Sequence, residues 1–301
     1  MALTKEIWIN SIIEGLFADN TFASRSLNHS GFVSAKTVHV PNAGALPGVV
    51  KNRSELPGTV GGRNDIDLTY GIAEYTTNPL IIRDAEKVEL VYDKRESLVG
   101  GTRTALAEAV HADLLRSWVP SGFAHVATTG ATEKGHLAGT TSADLKAVTK
   151  ADILALKKLF DKDDVPQTGR CILLDAVMYN QLLDSLSEAE AGAFLASVNA
   201  QKGTVGSLYG FDFYMRSTVL RTTAAGSSLA AADSTTATDR AAGIAWQEGC
   251  VSRALGETSL FEENDSPTYY GDIISALVRA GGSYVRNDKK GVAVLYQGAG
   301  E

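Results

Sequence analysis

The sequence has few of the features on which secreted and membrane proteins depend. Its 301 residues include two cysteines, Cys171 and Cys250, far apart and in apolar, strand-like surroundings. A disulfide framework needs more of them, so we expect both to be reduced core residues of a cytosolic product. No apolar run approaches the ~18 residues of a membrane-spanning helix. The first 20 residues contain Glu6 and Glu14 and no basic segment, which excludes a signal peptide.

An excess of basic residues is also absent. Lys and Arg total 28 and Asp and Glu total 35, which gives a net charge of −7. A protein whose main task is to grip nucleic acid needs clustered Lys and Arg to neutralise phosphates. The composition argues against that task, but it does not exclude a protein that merely encloses nucleic acid. With 29 glycines and 7 prolines, the chain is expected to contain many turns rather than disorder.

Catalytic and metal-binding motifs are missing. The stretch "GATEKGHL" at 130–137 spaces its glycines like a phosphate-binding loop, but His136 stands where a lysine must reach the phosphates. There is no GxSxG elbow, no paired-histidine zinc helix and no CxxC. His111 is a lone packing or surface histidine, and the acidic stretch "DKDDVP" at 161–166 lacks the glycine and distal glutamate of a calcium loop. We therefore expect no enzyme activity, cofactor or bound metal.

The N-terminal segment predicts an amphipathic helix. Its apolar residues recur at helical spacing, and with a neighbouring tryptophan they form a candidate contact surface: Trp8, Ile9, Ile12, Ile13, Leu16 and Phe17.

A long ribbon is predicted next, over residues 46–83. "LPGVVKNRS" at 46–54 forms one limb, a Gly/Pro-rich tip follows at 55–64, and the other limb begins at Asp65. Ile66, Leu68, Tyr70 and Ile72 occupy every second position, which is the period of a strand with one apolar face. Pro79 marks this limb as a sheet edge. A lone two-stranded ribbon is marginal in water, so its apolar face needs a partner.

The remainder is predicted to mix helices and strands. Apolar residues every four positions predict a helix over 94–118, stopped by Pro120. Its Gly100 and Gly101 cost helix stability unless something packs closely against them. Residues 121–148 are expected to be a loop. From Thr149, helical and strand patterns alternate, which predicts an α/β subdomain. The low-complexity run at 222–240 cannot build a core. The chain ends in long stretches with the pattern of β-strands.

The order of these parts resembles the major capsid protein of tailed bacteriophages, the Hong Kong 97 type fold. Three passages carry the resemblance: "YDKRESLVGGTRTALAEAVHADLL" as the spine helix, "GRCILLDAVMYNQLLDS" as the core of the axial (A) domain, and the closing "AGIAWQEGCVSRALGE" with "YGDIISALVRAGGSYVRNDKKGVAVL". The resemblance covers nearly the whole chain. It implies an α+β fold with an N-terminal arm, an extended (E) loop ribbon, a peripheral (P) domain and an α/β A-domain.

The resemblance also implies a division of the chain. Residues 1–30 would be the N-terminal arm and 31–90 the E-loop region, with its tip near 55–64. Residues 91–145 and 251–285, including the spine helix 94–118, would form the P-domain, and 146–250 with 286–301 the A-domain. Hexamers and pentamers of this one chain would build an icosahedral shell around double-stranded DNA.

In such a shell the ribbon would lie across a neighbouring subunit, which would cover its apolar face. The inter-subunit contacts expected there are Arg53, Glu55, Arg63, Asp65, Ile66, Leu68, Tyr70, Arg83 and Asp84, with the apolar residues of the arm. Exposed charge pairs contribute only about 0–1 kcal/mol each, so they are expected to set register rather than affinity. Equally, these charges can be simple protection of a solvated sheet edge.

The same resemblance implies partners and a location. The protein would reside in the virion and assemble in the host bacterial cytoplasm, with a portal. Because the arm starts at Met1, a separate scaffolding protein, or a processed chain, is expected. Three alternatives stay open: an encapsulin-type compartment shell of the same fold, an α/β enzyme or ligand-binding protein, and another phage component such as a decoration or tail protein.

Overall fold

The computed structural model describes residues 21–34, 36–44, 48–54, 62–83, 94–199, 201–231 and 233–300. The helices in these ranges are α1 (Lys94–Trp118), α2 (Lys150–Lys162), α3 (Ala176–Ser185) and α4 (Glu188–Ala196). The strands are β1 (Leu27–Asn28), β2 (Thr37–Asn42), β3 (Ile66–Gly71), β4 (Ala73–Thr76), β5 (Leu80–Arg83), β6 (Ala124–Ala127), β7 (Thr132–Lys134), β8 (Asp144–Lys146), β9 (Arg170–Asp175), β10 (Gly206–Leu208), β11 (Phe211–Arg216), β12 (Leu220–Thr222), β13 (Arg240–Gln247), β14 (Val251–Ser266), β15 (Gly271–Tyr284) and β16 (Val292–Tyr296). In this part of the chain, no helix has the length and apolar character needed to cross a membrane.

A long sheet is built on the antiparallel pair β14 and β15. Strand β1 pairs with the start of β14, and β4 and β5 pair with β15 one after the other along its outer edge. Pro79 lies between β4 and β5, where no ladder bond is needed from it, so the predicted sheet edge is confirmed. Residues 73–83 therefore belong to this sheet and not to a limb of the ribbon.

Helix α1 has the predicted bounds and covers one face of the long sheet. Leu106, Ala107 and Val110 form a buried cluster with residues of β14 and β15. Near the start of the helix, Gly100 and Gly101 meet no neighbouring atom within 4 Å of where a side chain would begin. Within the described part of the chain, no residue supplies the close packing that would compensate for these two helical glycines.

The second sheet has seven strands in the order β10-β11-β9-β13-β16-β6, with β12 beside β13. Strand β9 is buried at every residue, as its continuous apolar sequence predicted. Helix α2 begins at a capping box in which the Asp152 carboxylate accepts hydrogen bonds from the Thr149 amide and hydroxyl, at 2.8 and 2.9 Å. Asp175 caps α3 by accepting a 2.7 Å hydrogen bond from the Met178 amide. The predicted α/β subdomain is present.

The loop prediction for residues 121–148 needs correction. Residues 121–148 contain three short strands, and β6 pairs in parallel with β16 at the edge of the seven-stranded sheet. That pairing depends on a strand far away in sequence, which local composition does not encode. The low-complexity run at 222–240 is anchored, because Arg116 of α1 donates a 2.8 Å hydrogen bond to the Ala230 carbonyl.

Residues 21–32, which we call the strap, tie the two sheets together. Phe22 packs edge-on against Trp118 of α1 and Trp246 of β13, with ring centres 6.1 and 6.4 Å apart. Arg25 pairs with Asp212 of β11 at 2.6 Å. Arg253 of β14 donates a hydrogen bond to the Ala23 carbonyl. One short segment thus contacts the long helix and both sheets.

Candidate functional site

The ribbon exists as a hairpin of β2 and β3, but one limb differs from the prediction. Thr37 pairs with Gly71 and Asn42 with Ile66, so the limb opposite β3 is 37–42. The predicted limb at 46–54 is wrong, because the described residues 48–54 form no strand and include a turn at Lys51 and Asn52. Asn52 has a positive φ of 52°, which an extended limb does not accommodate.

The base of the hairpin packs against the chain's own long sheet. Val38, Val40 and Tyr70 form a buried cluster with Ala254 of β14, and Leu68 and Val285 pack against it. The Tyr70 hydroxyl accepts a 3.2 Å hydrogen bond from Ser252 and lies 3.3 Å from His29 Nδ1 of the strap. Burial raises the pKa of Tyr70 above its ordinary value, against the opposing effect of the Ser252 hydrogen bond. At its base the apolar face is therefore covered within the subunit.

The far end of the hairpin is held by polar contacts. Asn42 donates a 2.9 Å hydrogen bond to the Val285 carbonyl, just beyond the end of β15. Arg63 makes two hydrogen bonds to Asp65, at 2.6 and 2.9 Å, and Asp65 also accepts one from the Gly44 amide. The bonds from Arg63, and then that from Gly44, lower the pKa of Asp65. The two predicted contact residues Arg63 and Asp65 thus bond to each other along one limb, and Asp65 also joins that limb to Gly44 on the other.

The other predicted contact residues are distributed along this surface. Arg53 and Ile66 are exposed, and Leu68 is half-buried. Arg83 ends β5 on the long sheet and is also exposed. Glu55 and Asp84 lie outside the described residues, as do the arm residues Trp8, Ile9, Ile12, Ile13, Leu16 and Phe17. The structure brings Arg63, Asp65 and Ile66 together at one end of the hairpin, and it leaves their expected inter-subunit role a prediction.

Sequence reasoning missed the most exposed apolar residues of this region. Val49 is 96% exposed and its neighbour Val50 is 58% exposed. The same short segment, residues 48–54, carries Lys51 and Arg53 and no acidic residue. The sequence did contain a signal for an exposed turn here, because Pro47 and Gly48 precede the two valines and Asn52 follows them, and these residue types favour turns. We call residues 48–54 the basic loop.

The long sheet has a second face, on the side away from α1, and we call it the open face. Its residues alternate with the buried ones along β14 and β15, and register places Phe261 beside Ser275 and Leu277 beside Ser259. Phe261 is 53% exposed, and Ile81, Ile273 and Leu277 are half-buried. Apolar side chains of this size at the surface of an isolated chain indicate a contact site when they are contiguous.

Charged residues surround the apolar part of the open face. Arg279 lies 3.2 Å from Glu74 and 3.5 Å from Glu257. Glu263 follows Phe261 on the same face, opposite Ile273. Arg83 lies on the same face of β5 as Ile81, and Lys36 lies beside Glu257 and Arg279, so three cationic side chains stand with the three carboxylates on this face. The basic loop, with Lys51 and Arg53, has a charge of +2.

The motifs that were considered for chemistry have structural roles. His136 Nε2 lies 2.8 Å from Asp175, the residue that caps α3, and His111 is buried with Nδ1 2.6 Å from the Ala107 carbonyl. Asp161 pairs with Arg170 at 2.8 Å, as expected for a charge cluster at a helix end. Throughout the described ranges, no three His, Cys, Asp or Glu residues are grouped so as to hold a metal ion. Cys171 and Cys250 are both free and buried.

Comparison with known proteins gives matches in structure only. No protein-family model matches the chain, and no curated protein matches it in sequence. A solved structure from Mycobacterium phage Che8 is similar over 91% of this chain and 90% of that one, at 18% identity and a TM-score of 0.64. The capsid of Ralstonia phage GP4 matches over 92% and 88%, at 12% identity and a TM-score of 0.63.

A third similar structure is that of a virus-like particle. The virus-like particle from Pyrococcus furiosus matches over 97% of this chain and 99% of that one, at 8% identity and a TM-score of 0.58. Coverage of both chains is nearly complete in all three comparisons, so the likeness concerns the whole architecture. The predicted α+β fold of the Hong Kong 97 type is confirmed.

Proposed function

We propose, from the fold that this chain shares with phage capsid structures, that it is a structural shell protein which self-assembles into an icosahedral capsid. The observation that carries the proposal is the match over about nine-tenths of both chains to the capsid of Ralstonia phage GP4. Hexamers and pentamers of the chain would form the shell, and its content would be double-stranded DNA. The role is structural rather than catalytic.

The surface of the single chain supports self-association. The hairpin, its basic loop and the open face of the long sheet expose apolar groups that a neighbouring copy can bury. Burial of apolar area drives association with little directional preference, whereas charges orient the partners. Arg53, Glu55, Arg83 and Asp84 would act in this second way, and the apolar arm residues from Trp8 to Phe17 in the first.

The charge balance supports an enclosing role. A net charge of −7 gives little general attraction for phosphates, and packaged DNA must be able to leave. In the proposed function the chain contacts DNA without reading its sequence. It assembles in the host bacterial cytoplasm with a scaffolding protein and a portal, and it remains in the virion.

A second candidate is a shell that encloses protein cargo, as encapsulins do. The observation that favours it is the match to the virus-like particle from Pyrococcus furiosus, which spans 97% of this chain and 99% of that one. The two candidates share the fold and differ in content. Nuclease-protected double-stranded DNA in purified particles would support the phage capsid, and a single copurifying enzyme would support the compartment.

The test is the size of the purified protein on a sizing column with light scattering, with and without coexpression of its neighbouring genes. We expect rings of five or six subunits or closed particles. Deletion of residues 55–64, the predicted tip, should block assembly, whereas replacing Lys158 and Lys202, exposed on the α/β subdomain, by glutamine should not. A wild-type protein that stays monomeric in all these conditions would overturn the proposal.

A further inference from the structure

Buried polar groups collect at one end of the seven-stranded sheet. Strands β6, β9, β11 and β16 run in one direction and end there, whereas β13 runs the opposite way and begins there. Helix α3 begins at the same end, directly after its cap Asp175. In open α/β sheets, the carboxyl ends of the strands are where polar ligands commonly bind. A polar site at this end of the sheet therefore agrees with the topology.

Ala241, the second residue of β13, lies at the centre of this end. It pairs with Arg221 of β12 on one side, and on the other side its carbonyl accepts a 3.0 Å hydrogen bond from the Gln297 backbone amide. Ala241 and Leu295 belong to the apolar cluster under α2 and α3. Gln297 follows Leu295 by two residues and so faces the same way. Asp239 is a diagonal neighbour of Gln297, and such neighbours lie about 7–8 Å apart. The small alanine thus lies between three polar side chains.

Two loops are clamped together over this end of the sheet. Arg221 donates hydrogen bonds from one guanidinium nitrogen to the Ala138 carbonyl at 3.2 Å and to the Ser234 carbonyl at 2.7 Å. Gly139 has a φ of 89° and lies so close to Thr235 that a side chain there would collide with the Thr235 carbonyl. One loop follows β7, and the other is the end of the low-complexity run, just before β13.

Four buried polar atoms at this end have no hydrogen-bond partner among the residues that the structure describes. They are both side-chain amide atoms of Gln297, Oδ2 of Asp239 and Nδ1 of His136. His136 lies on the first loop, beside Leu137, which belongs to the same apolar cluster as Ala241. Native proteins pair nearly all such buried groups, with protein atoms or with ordered water. We call His136, Asp239 and Gln297 the polar site.

The burial and chemistry of the polar site favour water as its occupant. Gln297 is 1% exposed and Asp239 is 4% exposed, and the His136 side chain, the most accessible of the three, is 18% exposed. A larger ligand has no open entrance past such side chains. A metal ion is disfavoured, because no three His, Cys, Asp or Glu residues in the described ranges are grouped to hold one. Water both donates and accepts, as this mixture of atoms requires.

We infer that ordered water molecules occupy the polar site and bridge His136, Asp239 and Gln297. A buried water makes about three hydrogen bonds, so about two molecules satisfy the four atoms. The bridge joins the loop after β7, the end of the low-complexity run and the segment after β16. It gives the low-complexity run, which cannot build an apolar core, a polar anchor where it enters β13. The inference concerns the folded subunit and goes beyond the proposed role in a shell.

Paired serine substitutions test whether the surroundings of Ala241 are polar. Ala241 and Ala245 are both buried, on the same face of the same strand and in the same apolar cluster. Ala241→Ser places a hydroxyl beside the inferred water and should leave the midpoint of urea unfolding unchanged. Ala245→Ser, the matched control, places a hydroxyl among apolar side chains and should lower the midpoint. Equal losses in the two variants would overturn the inference.

The second measurement identifies the occupant directly. It is a density map of the wild-type protein, in crystals of the subunit or in assembled particles, at a resolution that shows ordered water. We expect peaks of single-water size at about 2.7–3.2 Å from the Gln297 side-chain amide and from the Asp239 carboxylate. A site without such peaks, a direct protein partner for the Gln297 amide, or density larger than water would each overturn the inference. The proposed shell does not depend on either result.

Discussion

The contacts of the strap predict a large loss of folding stability when Phe22 is replaced. This side chain is 3% exposed, and its ring packs edge-on against His111, Trp118 and Trp246 with centres 5.7, 6.1 and 6.4 Å apart. Replacing a buried phenylalanine by alanine costs about 3–5 kcal/mol, less where the site can collapse. The strap is held by backbone and ionic contacts on both sides, so collapse is limited. We expect Phe22→Ala to lower the free energy of unfolding by about 3 kcal/mol.

The assay is urea unfolding of the unassembled subunit, followed by tryptophan fluorescence, because Trp118 and Trp246 lie beside the substituted ring. Phe32→Ala is the matched control in the same segment, since Phe32 is 72% exposed and its loss should change stability by less than about 0.5 kcal/mol. A loss below about 1 kcal/mol for Phe22→Ala, with an unchanged denaturant slope, would refute the idea that the strap joins the two sheets.

Three further predictions concern the α/β subdomain. The hydrogen bond from Lys150, together with those from Ser187, lowers the pKa of Glu190 from 4.5 to about 2. Because the ionised carboxylate is favoured in the folded state, these bonds stabilise the fold above pH 4.5, and this stabilisation is lost as the pH falls towards 2. Thermal unfolding of Glu190→Gln should therefore differ from wild type at pH 6 and converge with it near pH 2, and a constant difference would contradict this sign. Burial raises the pKa of Cys171 to about 12, so iodoacetamide at pH 8 should label it only after unfolding, and rapid labelling of native protein would refute its burial. Asp175→Ala removes the cap of α3 and the partner of His136 and should cost about 1–2 kcal/mol in urea unfolding; Asp184→Ala in the same helix is the control, and equal effects would exclude a capping role.

Local patterns in the sequence predicted several elements correctly. The bounds of α1 follow from the four-residue spacing of its apolar residues and from Pro120, and β9 follows from its unbroken apolar run. Both signals lie within the element itself, where periodicity and propensity act directly. The edge position of β4 and β5 was also readable, because Pro79 cannot donate a ladder bond.

Elements fixed by distant contacts were harder to predict. The alternation at Thr37–Asn42 resembles any short strand, and only its pairing with Ile66–Gly71 makes it the hairpin limb. Strand β6 exists because β16 offers it a parallel partner. The strap depends on Phe22 reaching two tryptophans from different parts of the chain. Periodicity carries no information about such partners, since it reports which face is buried and not what covers it.

The inter-subunit role of the predicted contact residues stays a prediction, but the structure shows which of them the chain itself already engages. Tyr70 and Leu68 were expected to need a neighbouring subunit, and the chain's own Ala254 and Val285 cover them. Arg63 and Asp65 were expected to reach outward, and they bond to each other. Exposed apolar residues of this region include the predicted Ile66 at the hairpin end, and also Val49 and Val50 in the basic loop and Phe261 on the open face, which were not predicted as contacts.

The most direct test of the central claim is electron cryomicroscopy of the purified full-length protein, assembled with its neighbouring genes where required. The proposed function predicts closed particles with icosahedral symmetry in which one chain occupies both five-fold and six-fold rings, with the hairpin of each copy crossing the next. Particles without such symmetry, or a protein that appears only as monomers and small dihedral oligomers, would contradict it.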